Sequence, residues 1–289
     1  MLKRIIYITD KDYGKEHILR LFERLAKNGV KTEIVEGFTG KAGCQTEAAE
    51  TLFITDSPAC QKIALQQNLP LLLYLHEDNK NSTFLPAAYA IEKIEEIEFE
   101  SFLQAYQRLV GEPWEILTTK RCKIRETTTK DVDSFYEIYS EPSITKYMEN
   151  LYEDRAQETA YIENYIKTVY GFYGYGMWTV LTKEDNTVIG RAGLGWRAGF
   201  DVPELGFVIA KPYQSQGYAC EVCSAILQYG EKELGFTGFQ ALVMEGNDKS
   251  ERLCHKLGFQ YAEELLLEGK KYRRMIYVKE PLGTILPIE

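Results

Sequence analysis

The chain has 289 residues, 45% of them hydrophobic and 27% charged, and a formal net charge of −9. That length predicts two domains, each able to bury a core of its own, and the ordinary composition excludes a disordered or fibrous protein. The acidic balance excludes a general nucleic-acid binder, because phosphate backbones are held by basic surfaces; the excess acid aids solubility, and its field would favour a cationic substrate.

After Met1-Leu2-Lys3-Arg4 the apolar run from Ile5 to Ile8 meets Thr9-Asp10-Lys11-Asp12 at once. This is too short for a signal peptide or a membrane span, so a cytoplasmic chain with no membrane partner is expected. Residues 4–9, 31–35, 51–55, 70–75 and 87–91 read as strands, most of them continuous apolar runs. Residues 15–27, 58–67 and 98–110 read as helices. The simplest architecture for residues 1–115 is a parallel sheet with helices on both faces, with any ligand beyond the carboxyl ends of the strands. Those ends carry Asp10, Asp12 and Thr55-Asp56-Ser57. The set partly resembles that of receiver and haloacid-dehalogenase-like domains, whose carboxylates serve a hard cation. The plainer reading is that Asp56 and Ser57 cap the helix starting near Pro58. A degenerate Rossmann-like domain with a structural or regulatory role is expected. Gly111-Glu112-Pro113-Trp114-Glu115 is a short, stiff join that implies packed domains, with Trp114 as a core or interface residue.

In the second domain, residues 116–289, a strand is expected over 122–126 and a helix over 129–140, capped by Thr128 or Thr129. A helical pattern over 157–169 gives way to Tyr170-Gly171-Phe172-Tyr173-Gly174-Tyr175-Gly176, which reads as loop because of its glycines. Its Gly-x-x-Gly-x-Gly spacing is no dinucleotide fingerprint, because a strand follows where a helix should. Residues 177–182 and 187–197 form a hairpin about Lys183-Glu184-Asp185-Asn186. Gly190, Gly193 and Gly195 in its second strand imply bulges or a closely approaching ligand. Leu205, Phe207, Val208 and Ile209 make a strand that Pro212 stops. Gln214-Ser215-Gln216-Gly217-Tyr218-Ala219 then opens a helix whose apolar residues recur at three and four steps, closed by Gly235. A strand over 239–244, a helix from Asn247 or Asp248 to Leu257 and strands near 259–262 and 272–278 complete a mixed sheet.

The six cysteines, at 44, 60, 122, 220, 223 and 254, are scattered as reduced thiols are, not as a disulfide frame. Cys220-Glu221-Val222-Cys223 has a redox or half-zinc spacing. It lies inside a helix with no second pair, so packing is expected there and no metal.

Backbone N–H groups leading into a helix N-terminus, with Gly217 and Ala219 small enough to admit a ligand to the main chain, suit phosphate oxygens. The wording Gln214-x-x-Gly217-x-Ala219 after an apolar strand resembles the acyl-CoA pyrophosphate loop of the GNAT N-acetyltransferase superfamily. Residues 117–125, Leu-Thr-Thr-Lys-Arg-Cys-Lys-Ile-Arg, resemble the first strand of its branch that acetylates ribosomal-protein N-termini. Asn247-x-x-Ser250 leading to Lys256-Leu257-Gly258-Phe259 resembles a later segment of that branch. The resemblance covers about residues 116–279.

This resemblance implies a GNAT-like mixed-sheet acyl-CoA-binding domain behind the parallel α/β one, with acetyl-CoA as cofactor. It implies that strands 204–210 and 239–244 splay and take the pantetheine arm between them, meeting backbone groups of Phe207, Val208 and Ile209. Gln214, Ser215, Gln216, Gly217, Tyr218 and Ala219 would surround the diphosphate, and Asn247 would touch the pantetheine. Glu204 is the candidate base, or else a structural or orienting carboxylate. Ser250 is the candidate partner of the departing thiolate, or else, with Asn247, only a helix cap. Phe172, Tyr173, Tyr175 and Trp196 would wall an acceptor pocket, or close over the sheet as plain cover. The expected activity is transfer of an acetyl group to a primary amine, on a small molecule or on a protein N-terminus or lysine. The alternative is a catalytically silent acyl-CoA-sensing or protein-interaction module.

Overall fold

The structure, a computed structural model, describes residues 2–10, 15–40 and 50–278. Asp12, Cys44 and the tail from Pro281 lie outside them. The chain divides into two compact units, Met1–Trp114 and Glu115–Glu289. No helix among the described residues is long and apolar enough to cross a membrane.

In the first unit, β1 (Arg4–Thr9), β2 (Lys31–Glu36), β3 (Thr51–Thr55), β4 (Leu71–Tyr74) and β5 (Ala90–Ile91) form a parallel sheet ordered β2-β1-β3-β4-β5. β3 and β4 are buried throughout, as unalternating apolar runs require. Among the described residues the α-helices are α1 (Lys15–Ala26), α2 (Pro58–Gln66) and α3 (Phe99–Leu109). α1 and α3 place Ile18, Leu21, Phe102 and Tyr106 in one core with Tyr7, Ile54 and Tyr74. α2 places Cys60 and Ala64 in another, with Ile6, Ile8 and Phe53. The strand expected over 87–91 is only two residues long, because it meets β4 at two positions. Ser57 caps α2, accepting from Cys60 N–H at 3.2 Å. Asp56 does not: it is buried, with Oδ2 3.3 Å from His76 Nε2. Trp114 is half-buried, donating its indole N–H to Gln104 O at 2.7 Å under the Arg108 guanidinium.

The second unit holds one eight-stranded mixed sheet, ordered β12-β13-β11-β10-β9-β8-β7-β6. Its strands are β6 (Glu115–Thr118), β7 (Cys122–Arg125), β8 (Met177–Thr182), β9 (Val188–Gly195), β10 (Glu204–Ile209), β11 (Gly238–Met244), β12 (Gln260–Leu267) and β13 (Lys270–Val278). Residues 117–125, read as one strand, are a hairpin that turns at Thr119-Lys120-Arg121. The helices that matter below are α4 (Val132–Tyr139), α5 (Arg155–Tyr165), α6 (Tyr218–Lys232) and α7 (Asp248–Lys256). α6 packs Val222, Cys223 and Ile226 against Ala192, Leu194, Leu205 and Phe239. Cys223 is therefore a core residue, its thiol pushed up by burial. The opposite face is covered by α4 and α5, where Ile138 and Tyr139 join Val208 and Phe135 joins Ile162.

Two local features differ from expectation. Residues 171–173 are helical, not loop: after α5 the chain makes a π turn, Ile166–Tyr170, and one further helical turn, Gly171–Tyr173. The extra residue of the π turn aims Tyr170 inward, where it is fully buried; its hydroxyl donates to Met177 O and accepts from Thr127 N–H at 3.1 Å. Gly174, at φ 78°, ends the run. Gly190 and Gly193 make room for the protein itself. A Cβ on either would sit 2.1 Å from Val208 O or 2.0 Å from Gly176 O.

α4 is entered through a 3-10 turn, Thr129–Asp131, that opens on a capping box in which Asp131 accepts from Thr128 N–H at 2.8 Å. Asp131 also receives both arms of Arg125 at 2.7 Å and the Thr179 hydroxyl at 3.1 Å. Burial pushes this carboxyl up, but the Arg125 pair and the other donors outweigh it, leaving it below the ordinary range. A depressed folded-state value adds stability above the unfolded value, near pH ~4, which is lost as pH falls through the folded value. Asp131→Ala should cost about 3–5 kcal/mol at pH 7 and flatten the acid limb below pH ~4, as read by urea denaturation across pH.

Candidate functional site

β10 pairs with β9 along its whole length, Glu204 to Ile209 against Gly195 to Gly190. With β11 it pairs at Glu204 beside Gln240 and at no other described position. Beyond that point the two strands part. Ala210 N–H donates to Ile189 O at 2.8 Å, and Gln240 N–H to Pro203 O at 2.9 Å. Bonding sides alternate along an antiparallel strand, so Gly206 and Val208 bond to β9 while Leu205, Phe207 and Ile209 face β11. Val208 is thus corrected: its backbone belongs to the β9 ladder, not to the gap. Ile209 O is taken by Gln214 Nε2 at 2.9 Å. Phe207 is left with N–H and C=O directed into the gap, and such groups demand a partner when covered.

The chain leaving β10 makes a 3-10 turn, Lys211–Tyr213, and α6 starts at Tyr218, four residues later than expected. Between them Ser215, at φ 61°, and Gly217, at φ 83°, are both left-handed. Successive turns of this kind point consecutive N–H groups to one side, forming an anion-binding nest at the positive end of the helix. Among the described residues none accepts from the N–H groups of Gln216, Gly217, Tyr218 and Ala219. The Gln214 and Gln216 side chains brace the loop from within, on Ile209 O and on Pro212 O at 2.6 Å.

The loop is stapled to the β6–β7 turn. Arg121 Nη1 donates to Gln216 O at 3.0 Å, and its guanidinium lies 4.0 Å over the Tyr218 ring. Its Nε meets Glu221 Oε2 at 2.7 Å, while Glu221 Oε1 accepts from Thr119 Oγ1 at 2.6 Å and Arg121 N–H at 2.8 Å. Burial works against the Glu221 charge, but these donors hold its carboxyl below the ordinary range. The acid in the first turns of α6 is thereby neutralised, and the nest keeps its positive field.

At the mouth of the gap, Asn247 caps α7, its Oδ1 accepting from Ser250 N–H at 3.3 Å. No described residue bonds the Ser250 hydroxyl. Lys249 Nζ reaches Gln214 Oε1 at 3.4 Å, joining the two sides of the mouth. Glu204 sits at the closed end of the gap, bonded by Arg197 Nε at 2.6 Å. By strand alternation Glu204 shares its sheet face with Val208, under α4 and α5. The aromatic set lies on the other face: Tyr173 contacts Phe172 and Tyr175, while Tyr175 and Trp196 both meet Phe236, which packs into the α6 core. Phe172, Tyr173, Tyr175 and Trp196 are brought together, but not with Glu204. Arg121, Thr119 and Glu221 carry no sequence signal, since about a hundred residues separate the turn from the helix.

A mixed sheet with two parallel strands parting beside a loop of free N–H groups has the geometry to take an elongated, phosphate-bearing ligand edge-on. Comparison with known proteins names the class. The model of the acetyltransferase (GNAT) domain family matches residues 121–260. The uncharacterized N-acetyltransferase YnaD of Bacillus subtilis is 30% identical over 145 residues, 50% of this chain and 82% of that one. The uncharacterized protein YkkB of the same organism is 26% identical over 57% of this chain and 94% of its own. Among solved structures, the apo ribosomal L7/L12 α-N-protein acetyltransferase RimL aligns with 58% of this chain and 96% of its own at a TM-score of 0.50 and 11% identity, a likeness of fold. The chain belongs to the GNAT acetyltransferase family, whose cofactor is acetyl-CoA.

Proposed function

We propose that the second unit transfers the acetyl group of acetyl-CoA to a primary amine. The observation that carries this reading is the conjunction of the parted β10–β11 pair with the free N–H nest of residues 216–219. The nest suits a diphosphate, and the Phe207 N–H and C=O suit the amides of a pantetheine arm laid along β10. Acetyl-CoA supplies an activated thioester; the chain's own groups position it and manage the protons. An amine with a pKa near ~10.4 is protonated at neutral pH, and Glu204 is the group proposed to take its proton, directly or through a water. Ser250, its hydroxyl free beside the mouth, is proposed to steady the departing thiolate, and Asn247 to hold the helix that carries it. Glu204→Gln should lower kcat by about 10²–10⁴ and remove the acid limb of its pH profile, in steady-state assays with an identified acceptor.

One observation favours a second reading, a catalytically silent acyl-CoA sensor: Arg197 bonds the candidate base at 2.6 Å, and an ion-paired carboxylate is a weaker base. Thioester consumption against pooled amines separates the two, since turnover eliminates the sensor. Small amines and protein N-termini or lysines are the proposed acceptors. Arg121→Ala should loosen the staple and weaken coenzyme A binding about tenfold, as read by calorimetry. For the first unit we propose a structural or regulatory role, since Asp56 is engaged by His76. Magnesium-dependent phosphate release abolished by Asp10→Asn would replace that reading.

A further inference from the structure

Arg191, on β9, is 8% exposed. It stands opposite Val208 on β10 and Thr179 on β8, hence on the sheet face of Glu204, beneath α4 and α5. Its guanidinium carbon lies 4.7 Å from the Phe135 ring centroid, and its Nε has no hydrogen-bond partner. Among the described residues no carboxylate forms an ion pair with it. Glu158 on α5, 2% exposed, also stays apart: its Oε2 accepts from Tyr152 N–H at 3.1 Å and its Oε1 has no partner. Tyr139 and Tyr161 feel both charges, and the Tyr139 hydroxyl also takes a hydrogen bond from Arg191. Burial pushes both hydroxyls up, and Arg191 draws them partly back.

A buried cation without an anion is strongly unfavourable, and a ring face with a few hydroxyls compensates it only in part. Ordinary packing at this position needs no charge. A guanidinium fork does match a carboxylate with two parallel bonds. On that side the exposed Tyr152 and Tyr161 and the half-buried Tyr165 form a row, with ring centroids 5.9 and 6.1 Å apart. Adjacent strands lie about 4.8 Å apart, so Arg191, one strand from β10, is within roughly 10 Å of the gap.

We propose that Arg191 is the counter-ion for a carboxylate on the acceptor, so that the acceptors of this site are amino carboxylates in which one short molecule spans from arginine to gap. The proposal rests on the transferase reading and makes Arg191 a specificity-determining residue. Calorimetry on the full chain tests it, with and without saturating coenzyme A. The probes are ω-amino carboxylates from glycine to 6-aminohexanoate, n-alkylamines of equal length, and aminoalkyl phosphates. The best carboxylate should bind at least about 30-fold more tightly than its alkylamine. Arg191→Met should erase that difference while leaving the thermal midpoint unchanged or higher, because no protein ion pair is broken. Equal binding of carboxylate and alkylamine by the native chain overturns the proposal. So does selectivity that survives Arg191→Met, or a lowered midpoint with selectivity intact, which makes the arginine structural. Tighter binding of the phosphates overturns the carboxylate assignment. Absence of thioester turnover with selectivity present removes the transferase reading alone.

Discussion

Gly217→Val is expected to weaken coenzyme A binding by at least about 100-fold, with a small change in thermal midpoint. Gly217 holds φ 83° at the residue preceding α6, a region where a β-branched side chain is an outlier costing about 1–3 kcal/mol. The chain has two ways to respond, and both harm the nest. If the backbone keeps its conformation, the new side chain stands beside the N–H groups proposed for phosphate, with its Cβ about 3.5 Å from Arg121 Nη2. If it relaxes to negative φ, the consecutive N–H groups no longer converge. About 100-fold corresponds to roughly 2.7 kcal/mol, within what strain and lost charge-assisted bonds supply together. Calorimetry reads the loss; unchanged affinity would remove the loop from the cofactor site.

Phe207→Pro is the second expected large effect, a fall of about 10–100-fold in kcat/KM, the size expected when a buried pantetheine carbonyl loses its one donor. Phe207 N–H faces the gap, so its loss leaves every bond between β10 and β9 in place, whereas Val208→Pro deletes one rung of that ladder. The pair therefore separates function from folding: Phe207→Pro should keep most of its stability and lose activity, and Val208→Pro should lose stability. If the two variants behave alike in both respects, the backbone assignment along β10 is wrong.

Much of this was legible in the sequence because the relevant signals are local. Continuous apolar runs gave the parallel strands of the first unit, and Ser57 ahead of Pro58 gave the start of α2. Gly217 and Ala219 after an apolar strand marked the loop proposed here for the cofactor, although not the two left-handed residues that set α6 back to Tyr218. What the sequence withheld depends on registers and faces. Whether Val208 or Phe207 opens to the gap is decided by which rung of β9 it meets, a one-residue matter that composition does not encode. The aromatic run from Tyr170 to Tyr175 suggests a pocket, but strand alternation and the π turn send it to the α6 face, away from Glu204. The Arg121–Glu221 staple joins residues 100 apart, and among the described residues Arg191 has no ion-pairing acid to draw attention to it.

The gap between β10 and β11 is the proposed seat of acetyl-CoA. A crystal structure with coenzyme A should show diphosphate oxygens within about 3.2 Å of the main-chain nitrogens of Gln216, Gly217, Tyr218 and Ala219, with the pantetheine amides bonded to Phe207. A cofactor bound elsewhere, or a gap filled by the protein's own side chains with the nest bare, would contradict it.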